Sequence, residues 1–93
     1  MLESKVERDC CKWAKSQGIA NKKVRHEVGD PDRVFLYHGK VLFIEFKREG
    51  EDARAIQVYK HKELMDHGFL VLVIDNIDVF KSVVRAWREL KNQ

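Results

Sequence analysis

Two stretches of the chain repeat hydrophobic residues every three or four positions, which is the spacing of one helix face. The first covers residues 2–17 and is in phase at Leu2, Val6, Cys10, Trp13 and Ala14. The second follows Asp75-Asn76 and is in phase at Phe80, Val83, Val84, Trp87 and Leu90. At this spacing the aromatic residues are more typical of a core than of platforms for base stacking. Between the two, Gly50-Glu51-Asp52 predicts the start of another helix, with Asp52 as its N-cap, ending near His67 at Gly68.

Four shorter stretches are typical of strands. Residues 23–28 predict the first, and residues 33–38 predict the second, after a turn at Asp30-Pro31. Gly39-Lys40 reverses the chain into residues 41–47, which predicts a hairpin. Residues 69–74 are the most apolar run, and their β-branched content predicts a strand buried on both faces. The order is therefore α-β-β-β-α-β-α, an α/β fold in one domain over residues 1–93.

The strand at residues 41–47 carries two charges within an apolar sequence. Successive side chains alternate between the faces of a strand, so Glu45 and Lys47 point to one side and their apolar neighbours to the other. Charges placed there cost desolvation free energy unless something uses them, and a divalent cation and a phosphodiester would use both. Asp32 begins the second strand, and an antiparallel hairpin brings it close to Glu45.

The chain resembles a known nuclease group at three places. They are Gly29, Pro31, Asp32 and Arg33; then residues 44–47; then Gln57, Leu64 and Gly68. This pattern of G-x-P-D-R, a hydrophobic E-x-K strand and Q-x6-L-x3-G on a helix is similar to that of the VRR-NUC group. The group belongs to the PD-(D/E)xK superfamily and includes stand-alone phage proteins. The resemblance implies a restriction-endonuclease-like core, with a mixed sheet flanked by helices.

The resemblance also implies an activity. It is that of an Mg²⁺- or Mn²⁺-dependent endodeoxyribonuclease, which hydrolyses DNA phosphodiester bonds by attack of a metal-activated water. Asp32 and Glu45 would supply the carboxylate oxygens that such hard cations prefer. In the family the main-chain carbonyl after the glutamate, here that of Phe46, often completes the metal shell.

Three further residues take roles that the resemblance implies. Glu7, on the first helix, would reach the metal directly or through a water molecule. Lys47 would hold or help to deprotonate the attacking water, or stabilise charge on the phosphorane. Gln57 would approach Lys47 and the scissile phosphate. The catalytic residues expected are thus Glu7, Asp32, Glu45, Lys47 and Gln57.

Each of these residues also has a purely structural interpretation. Asp32 after a proline is typical of a turn. Glu45 and Lys47 are compatible with an ion pair on an edge strand. Glu7 and Gln57 are compatible with solvated positions on helix surfaces. Asp30 competes with Asp32 for the role of ligand. The family pattern is variable at Asp30, which favours Asp32.

The charge balance is mildly basic, with eighteen lysines and arginines against fifteen acidic residues and a net charge of +3. Such a bias is compatible with nucleic acid but does not demonstrate binding. Several basic residues flank the candidate site in sequence and are placed for salt-sensitive, non-specific phosphate contacts: Lys22, Lys23, Arg25, Arg33, Arg48 and Arg54. As a group they are equally typical of solvated surface.

Stand-alone members of the group resemble junction-resolving enzymes, which implies a homodimer acting on branched DNA such as a four-way junction. The last helix is a candidate for contact with the second copy. Adjacent Cys10 and Cys11 cannot easily bond each other, and no signal peptide or apolar run of ~20 residues is present. We therefore expect reduced cysteines, a cytoplasmic location (the host cytoplasm for a phage protein), no membrane and no small-molecule cofactor.

Two alternatives remain open at this stage. One is a nucleic-acid-binding module that keeps the fold without the chemistry, although intact Asp32, Glu45 and Lys47 argue against it. The other is a nuclease that acts on RNA, because nothing in the sequence identifies a reader of the 2′-hydroxyl.

Overall fold

The structure is a computed structural model that describes residues 4–48 and 50–91. Over these residues it contains three helices and four strands in the predicted α-β-β-β-α-β-α order. Their bounds are α1 Lys5–Ser16, β1 Ala20–Lys23, β2 Arg33–Tyr37, β3 Lys40–Phe46, α2 Ala55–Asp66, β4 Leu70–Ile74 and α3 Ile77–Glu89. None of the helices in this described part is long and apolar enough to cross a membrane.

The strands form one mixed sheet in the order β1-β2-β3-β4. β1 and β2 are antiparallel, β2 and β3 form the predicted hairpin, and β4 returns parallel to β3 after α2. The hairpin turns at His38 and Gly39, which both have positive φ, as a two-residue turn matched to the strand twist requires. β3 is therefore paired on both sides, and it holds Glu45 opposite Val73 of β4.

The hydrophobic core lies where α1 and α3 pack against the sheet. The sheet contributes Phe35, Leu42, Ile44 and Phe46, and the helices contribute Cys10, Ala14, Phe80, Val84 and Trp87. Trp13 packs edge-on against Phe80 with ring centroids 6.0 Å apart, so these aromatic residues serve the core, as predicted. Burial raises the pKa of the Cys10 thiol to about 12, which keeps it protonated and unreactive.

The first strand lies earlier in the chain than predicted. β1 is Ala20–Lys23, paired residue by residue with β2, whereas residues 24–28 mostly form a loop. The loop is closed by Asp30, whose carboxylate accepts hydrogen bonds from the main-chain N–H groups of His26 and Glu27. The predicted strand at residues 23–28 rested on Val24 and Val28 lying on one face. Val28 is instead 73% exposed in the loop.

Two other predictions about elements were wrong. α2 begins at Ala55 with Arg54 as its N-cap, not at Asp52, because the Gln57 side chain accepts the Arg54 main-chain N–H and defines the helix start. β4 is not buried on both faces: it is the edge strand, and Leu70 and Val73 are 37% and 41% exposed. The predicted first helix begins at Lys5 with Ser4 as its N-cap, and Leu2 lies outside the described residues.

Candidate active site

A cleft of about 910 Å³ opens between the start of α1, the start of β2, the end of β3 and the start of α2. All five side chains predicted to be catalytic line this cleft: Glu7, Asp32, Glu45, Lys47 and Gln57. They come from two helices and the hairpin, so the fold brings together residues that are up to fifty positions apart.

Glu45 and Lys47 share one face of β3, as the alternation of the strand predicts. The Glu45 side chain is 1% exposed, and its Oε2 lies 3.9 Å from the Lys47 Nζ. That separation is at the outer limit of an ion pair, which fits side chains two positions apart on a pleated strand. Lys47 is also largely buried, so its ammonium group is confined near the Glu45 carboxylate and not free in solvent.

Asp32 is fixed beside Glu45 by the backbone of β3. Its main-chain N–H donates to the Ile44 carbonyl at 3.1 Å, and its Oδ2 accepts from the Phe46 N–H at 2.8 Å. Burial and then the charge of Asp32 raise the pKa of Glu45 to about 7, while Lys47 and Arg25 act to lower it. A cation bound between the buried Glu45 carboxylate and the partly buried Asp32 carboxylate would offset this repulsion, so the pair is a candidate cation site.

Gln57 is fully buried, unlike an ordinary exposed glutamine on a helix. Its Nε2 donates to Glu45 Oε2 at 3.1 Å, and its Oε1 accepts the Arg54 main-chain N–H at 2.8 Å. The second bond fixes which end of the amide faces Glu45. This N–H of Gln57 is therefore directed at the glutamate, whereas the sequence led us to expect contact with Lys47 and a phosphate.

Glu7 lies on the cleft wall in contact with Arg33. Arg33 Nε donates to Glu7 Oε2 at 2.8 Å, and Arg33 Nη1 donates to Asn21 Oδ1 at 2.9 Å. Both partners of the ion pair are mostly buried. Arg33 therefore ties α1 to the hairpin, and its placement does not favour the phosphate contact that the sequence suggested. Because Arg33 holds the Glu7 carboxylate, direct binding of Glu7 to a metal is not favoured either.

The other basic candidates divide into two groups. Arg48 and Arg54 are exposed and line the cleft. Lys22 and Lys23 are exposed on β1 and lie outside the cleft lining. Asp30, the alternative ligand, is occupied as an acceptor in its own loop, which leaves Asp32 as the residue beside Glu45.

Two residues contact the carboxylates in ways that the sequence analysis missed. Arg25 Nη2 lies 3.3 Å from Asp32 Oδ1 and 3.7 Å from Glu45 Oε2, between the two carboxylates. His61 Nε2 lies 3.7 Å from Glu45 Oε1, and burial, then Lys47, lower its pKa. The sequence signal for His61 was its position four residues after Gln57, on the same face of a helix.

The donor set fits a hard divalent cation. Among residues 4–48 and 50–91 no group of three or more histidine, cysteine, aspartate or glutamate side chains is placed to hold a metal. Mg²⁺, however, usually takes one or two carboxylates and keeps several waters. Asp32 and Glu45 supply such a pair of oxygen ligands, since Asp32 Oδ1 and Glu45 Oε2 both face the position of the cationic Arg25 Nη2, at 3.3 Å and 3.7 Å.

The comparison with solved structures identifies the fold. The solved structure of a "VRR_NUC domain" superposes with a TM-score of 0.77 over 88% of this chain and 92% of that chain, at 19% sequence identity. The protein therefore has the fold of a VRR_NUC domain, and the resemblance drawn from its sequence is confirmed at that level. No family model matches the chain.

A curated relative comes from a phage. It is named "Putative nuclease p44", from Acyrthosiphon pisum secondary endosymbiont phage 1, and is 40% identical over 52 residues. The match covers 55% of this chain, and the chain spans about half (56%) of the length of that relative.

Proposed function

We propose that this protein is a metal-dependent endonuclease that hydrolyses phosphodiester bonds in DNA. The observation that carries the proposal is the convergence of Asp32, Glu45 and Lys47 in one cleft of a VRR_NUC fold. The phage relative named as a nuclease supports the same conclusion.

Asp32 and Glu45 are the residues that would hold Mg²⁺ or Mn²⁺, together with the main-chain carbonyl of Phe46. When bound, such an ion lowers the pKa of water and neutralises charge on the phosphate and the leaving oxygen. Lys47 adds a positive charge at the same end of the cleft, where it stabilises the negative charge that develops on the phosphate. Gln57 keeps the Glu45 carboxylate in one orientation, and Arg33 does the same for Glu7.

The open side of the cleft is suited to the nucleic-acid backbone. Arg25, Arg48 and Arg54 all line it, and each is at least a third exposed. Guanidinium groups bind phosphate oxygens well, and such contacts give salt-sensitive binding without sequence readout. We propose that these three arginines, and not Arg33, position the DNA.

We further propose that the protein works as a homodimer on branched DNA, because two sites related by a two-fold axis suit a symmetric junction. The apolar face of α3 is mostly buried within one copy, which argues against the last helix as the contact. Exposed apolar side chains lie instead on α2 and the neighbouring edge strand: Val58, Tyr59, Met65 and Val73. This surface, which we term the α2–β4 face, is where we place the second copy.

The phage origin of the relative favours the host cytoplasm as the place of action. Two free cysteines, Cys10 and Cys11, suit such a reducing compartment. A nuclease acting on RNA and a binding module without chemistry are the alternatives that the experiment must separate.

The test is a cleavage assay with labelled four-way junction, flap, duplex and single-stranded DNA, and with RNA of the same sequences. Each is incubated with Mg²⁺, Mn²⁺ or EDTA. Wild type should cut DNA only with metal, and Lys47→Ala should not cut. Lys12→Ala is the matched control, because Lys12 is an exposed lysine on α1 that does not line the cleft.

Each outcome of the assay has a defined meaning. Preference for the junction supports the branched substrate, and equal cutting of all DNAs indicates a general nuclease. Cleavage of RNA alone makes the substrate RNA. Binding of DNA without cleavage under any metal condition contradicts the nuclease and favours the binding module.

A further inference from the structure

Two buried polar atoms without hydrogen-bond partners face each other behind the cleft. They are Glu45 Oε1 and His61 Nε2, which are 3.7 Å apart. The residues that carry them are 1% and 5% exposed, so solvent is largely excluded from the pair. A buried polar group without a partner is costly and rarely retained without a use. The pair is therefore the strongest unexplained feature around the site.

The two oxygens of Glu45 face different surroundings. Oε2 accepts the Gln57 amide and faces Arg25 and Lys47, on the side of the cleft where Asp32 lies. Oε1 points to His61 instead. An approach of about 0.7 Å would bring His61 Nε2 to the usual N–H···O distance of about 3.0 Å. Because a carboxylate oxygen only accepts, the imidazole proton must then lie on Nε2.

We propose that His61 is a positioning residue for the metal site, donating from Nε2 to Glu45 Oε1 and so fixing the Glu45 carboxylate for metal binding. The inference rests on the proposed metal-dependent function. His61 and Gln57 are one turn apart on α2, so one rigid helix supplies a donor to each oxygen of Glu45. This pair of donors keeps the carboxylate from rotating away from Asp32.

Donors of this kind strongly affect metal binding. Removal of a partner that orients a metal ligand typically weakens metal affinity about 10- to 100-fold. A histidine that merely filled space would not have this effect when replaced by a side chain of similar size. The expected loss of metal affinity therefore depends on whether the side chain at position 61 ends in a hydrogen-bond donor, and not on the volume of that side chain.

The experiment measures Mn²⁺ affinity in the absence of DNA, by the electron paramagnetic resonance signal of free Mn²⁺. It compares wild type, Glu45→Gln, His61→Gln and His61→Met. Glutamine and methionine have similar lengths and volumes, but only glutamine retains a donor near the Nε2 position. We expect His61→Met to bind Mn²⁺ about tenfold more weakly and His61→Gln to remain within about threefold of wild type. Circular dichroism in EDTA verifies that each variant is folded.

The outcomes separate this inference from the function on which it rests. No Mn²⁺ binding by wild type, or binding that does not depend on Glu45, contradicts the metal site itself. Glu45-dependent binding that is equal in wild type and His61→Met overturns the role of His61 and leaves the proposed function intact.

A second measurement keeps the inference testable if the His61 variants do not fold. The ¹⁵N–¹H spectrum of the wild-type imidazole, recorded with Mg²⁺ at pH 8, reports which ring nitrogen carries the proton. A His61 proton on Nε2, slow to exchange with water, agrees with donation to Glu45. A proton on Nδ1 overturns it.

Discussion

Asp32 Oδ2 accepts a hydrogen bond of 2.8 Å from the main-chain N–H of Phe46, the residue after Glu45. The bond connects the start of β2 to the end of β3 across the hairpin. It places one carboxylate beside the other by means of the backbone, so the geometry of the pair depends little on flexible side chains. The pairing of β2 with β3 therefore fixes the position of Asp32.

Asp32→Asn tests the charge of Asp32 apart from its structural bond. Asparagine retains an oxygen that can accept the Phe46 N–H, so we expect the fold to persist. Loss of one anionic ligand should weaken Mn²⁺ binding on the order of 10-fold or more and abolish cleavage. Calorimetric titration and the junction assay measure the two effects. Asp78→Asn, at an exposed position at the start of α3 and outside the cleft lining, is the control and should match wild type. Full activity of Asp32→Asn would exclude Asp32 as a ligand.

Arg25→Gln should change metal and DNA binding in opposite directions. The guanidinium lies within 4 Å of both carboxylates, so its removal should tighten Mn²⁺ binding by about threefold or more through relief of like-charge repulsion. Loss of one phosphate contact should weaken DNA binding and reduce the slope of log Kd against log salt by about 0.9.

Titration of Arg25→Gln with Mn²⁺, and DNA binding measured in Ca²⁺ at several salt concentrations, test both halves of this prediction. Lys12→Gln, at an exposed position outside the cleft, controls for the loss of any single positive charge. A variant in which metal and DNA binding both weaken would indicate that Arg25 only holds the loop in place.

In EDTA, the free energy of unfolding should depend on pH through the titration of Glu45. Its pKa is raised from an ordinary value of 4.5 to about 7, because the folded protein buries it beside Asp32. A raised folded pKa means that its contribution is present below pH 4.5 and is lost as the pH rises through about 7. The lowered pKa of His61 acts in the opposite sense, so its contribution to stability is lost as the pH falls. His61 is present both in wild type and in a Glu45→Gln variant, so a comparison of the two proteins isolates Glu45.

The comparison is therefore between wild type and Glu45→Gln in urea unfolding from pH 5 to 8. The stability of wild type relative to the variant should fall across this range by up to about 3 kcal/mol. Parallel curves for the two proteins would show that Glu45 does not titrate there.

Gly29, the glycine of the G-x-P-D-R motif, should not tolerate a side chain. Its φ is +93°, and an added Cβ would lie 2.8 Å from the Ile56 carbonyl oxygen of α2. Gly18 is the matched control, because its φ is +76° with open space around it. Gly18→Ala should cost about 1 kcal/mol through backbone strain. Gly29→Ala should cost at least about 1 kcal/mol more from the clash. Urea unfolding measures both, and equal costs would exclude the close approach.

Tyr59→Glu tests the α2–β4 face. Tyr59 is 62% exposed, so a charge there should leave one copy folded and disfavour a second copy packed against it. Light scattering should find wild type as a dimer and this variant as a monomer. Val79→Glu, at an exposed position on α3, is the control and should remain dimeric. A monomeric wild type would contradict the dimer, and a dimeric Tyr59→Glu would contradict its location.

The sequence predicted the order of elements because that order rests on local patterns, and the five residues singled out by pattern and resemblance line one cleft. Alternation alone placed Glu45 and Lys47 on one face, and the hairpin placed Asp32 beside them. The start of α2 was missed because the side chain of Gln57, and not that of Asp52, defines it by accepting the Arg54 main-chain N–H. The position of β1 was missed because pairing with β2, which is more distant in sequence, sets it. The partners of Arg25 and His61 could not be predicted for the same reason, since each meets Glu45 only in the folded chain.

Between its ends, α2 buries only Gln57 and His61, and both face Glu45. Most helices pack through apolar side chains, whereas the two buried side chains of α2 are polar and face the candidate metal ligand Glu45. Substitution of Glu45 would therefore affect both the proposed metal site and the packing of α2. At Glu45, unlike at Asp32 or Lys47, the proposed chemistry and the packing of α2 depend on the same side chain.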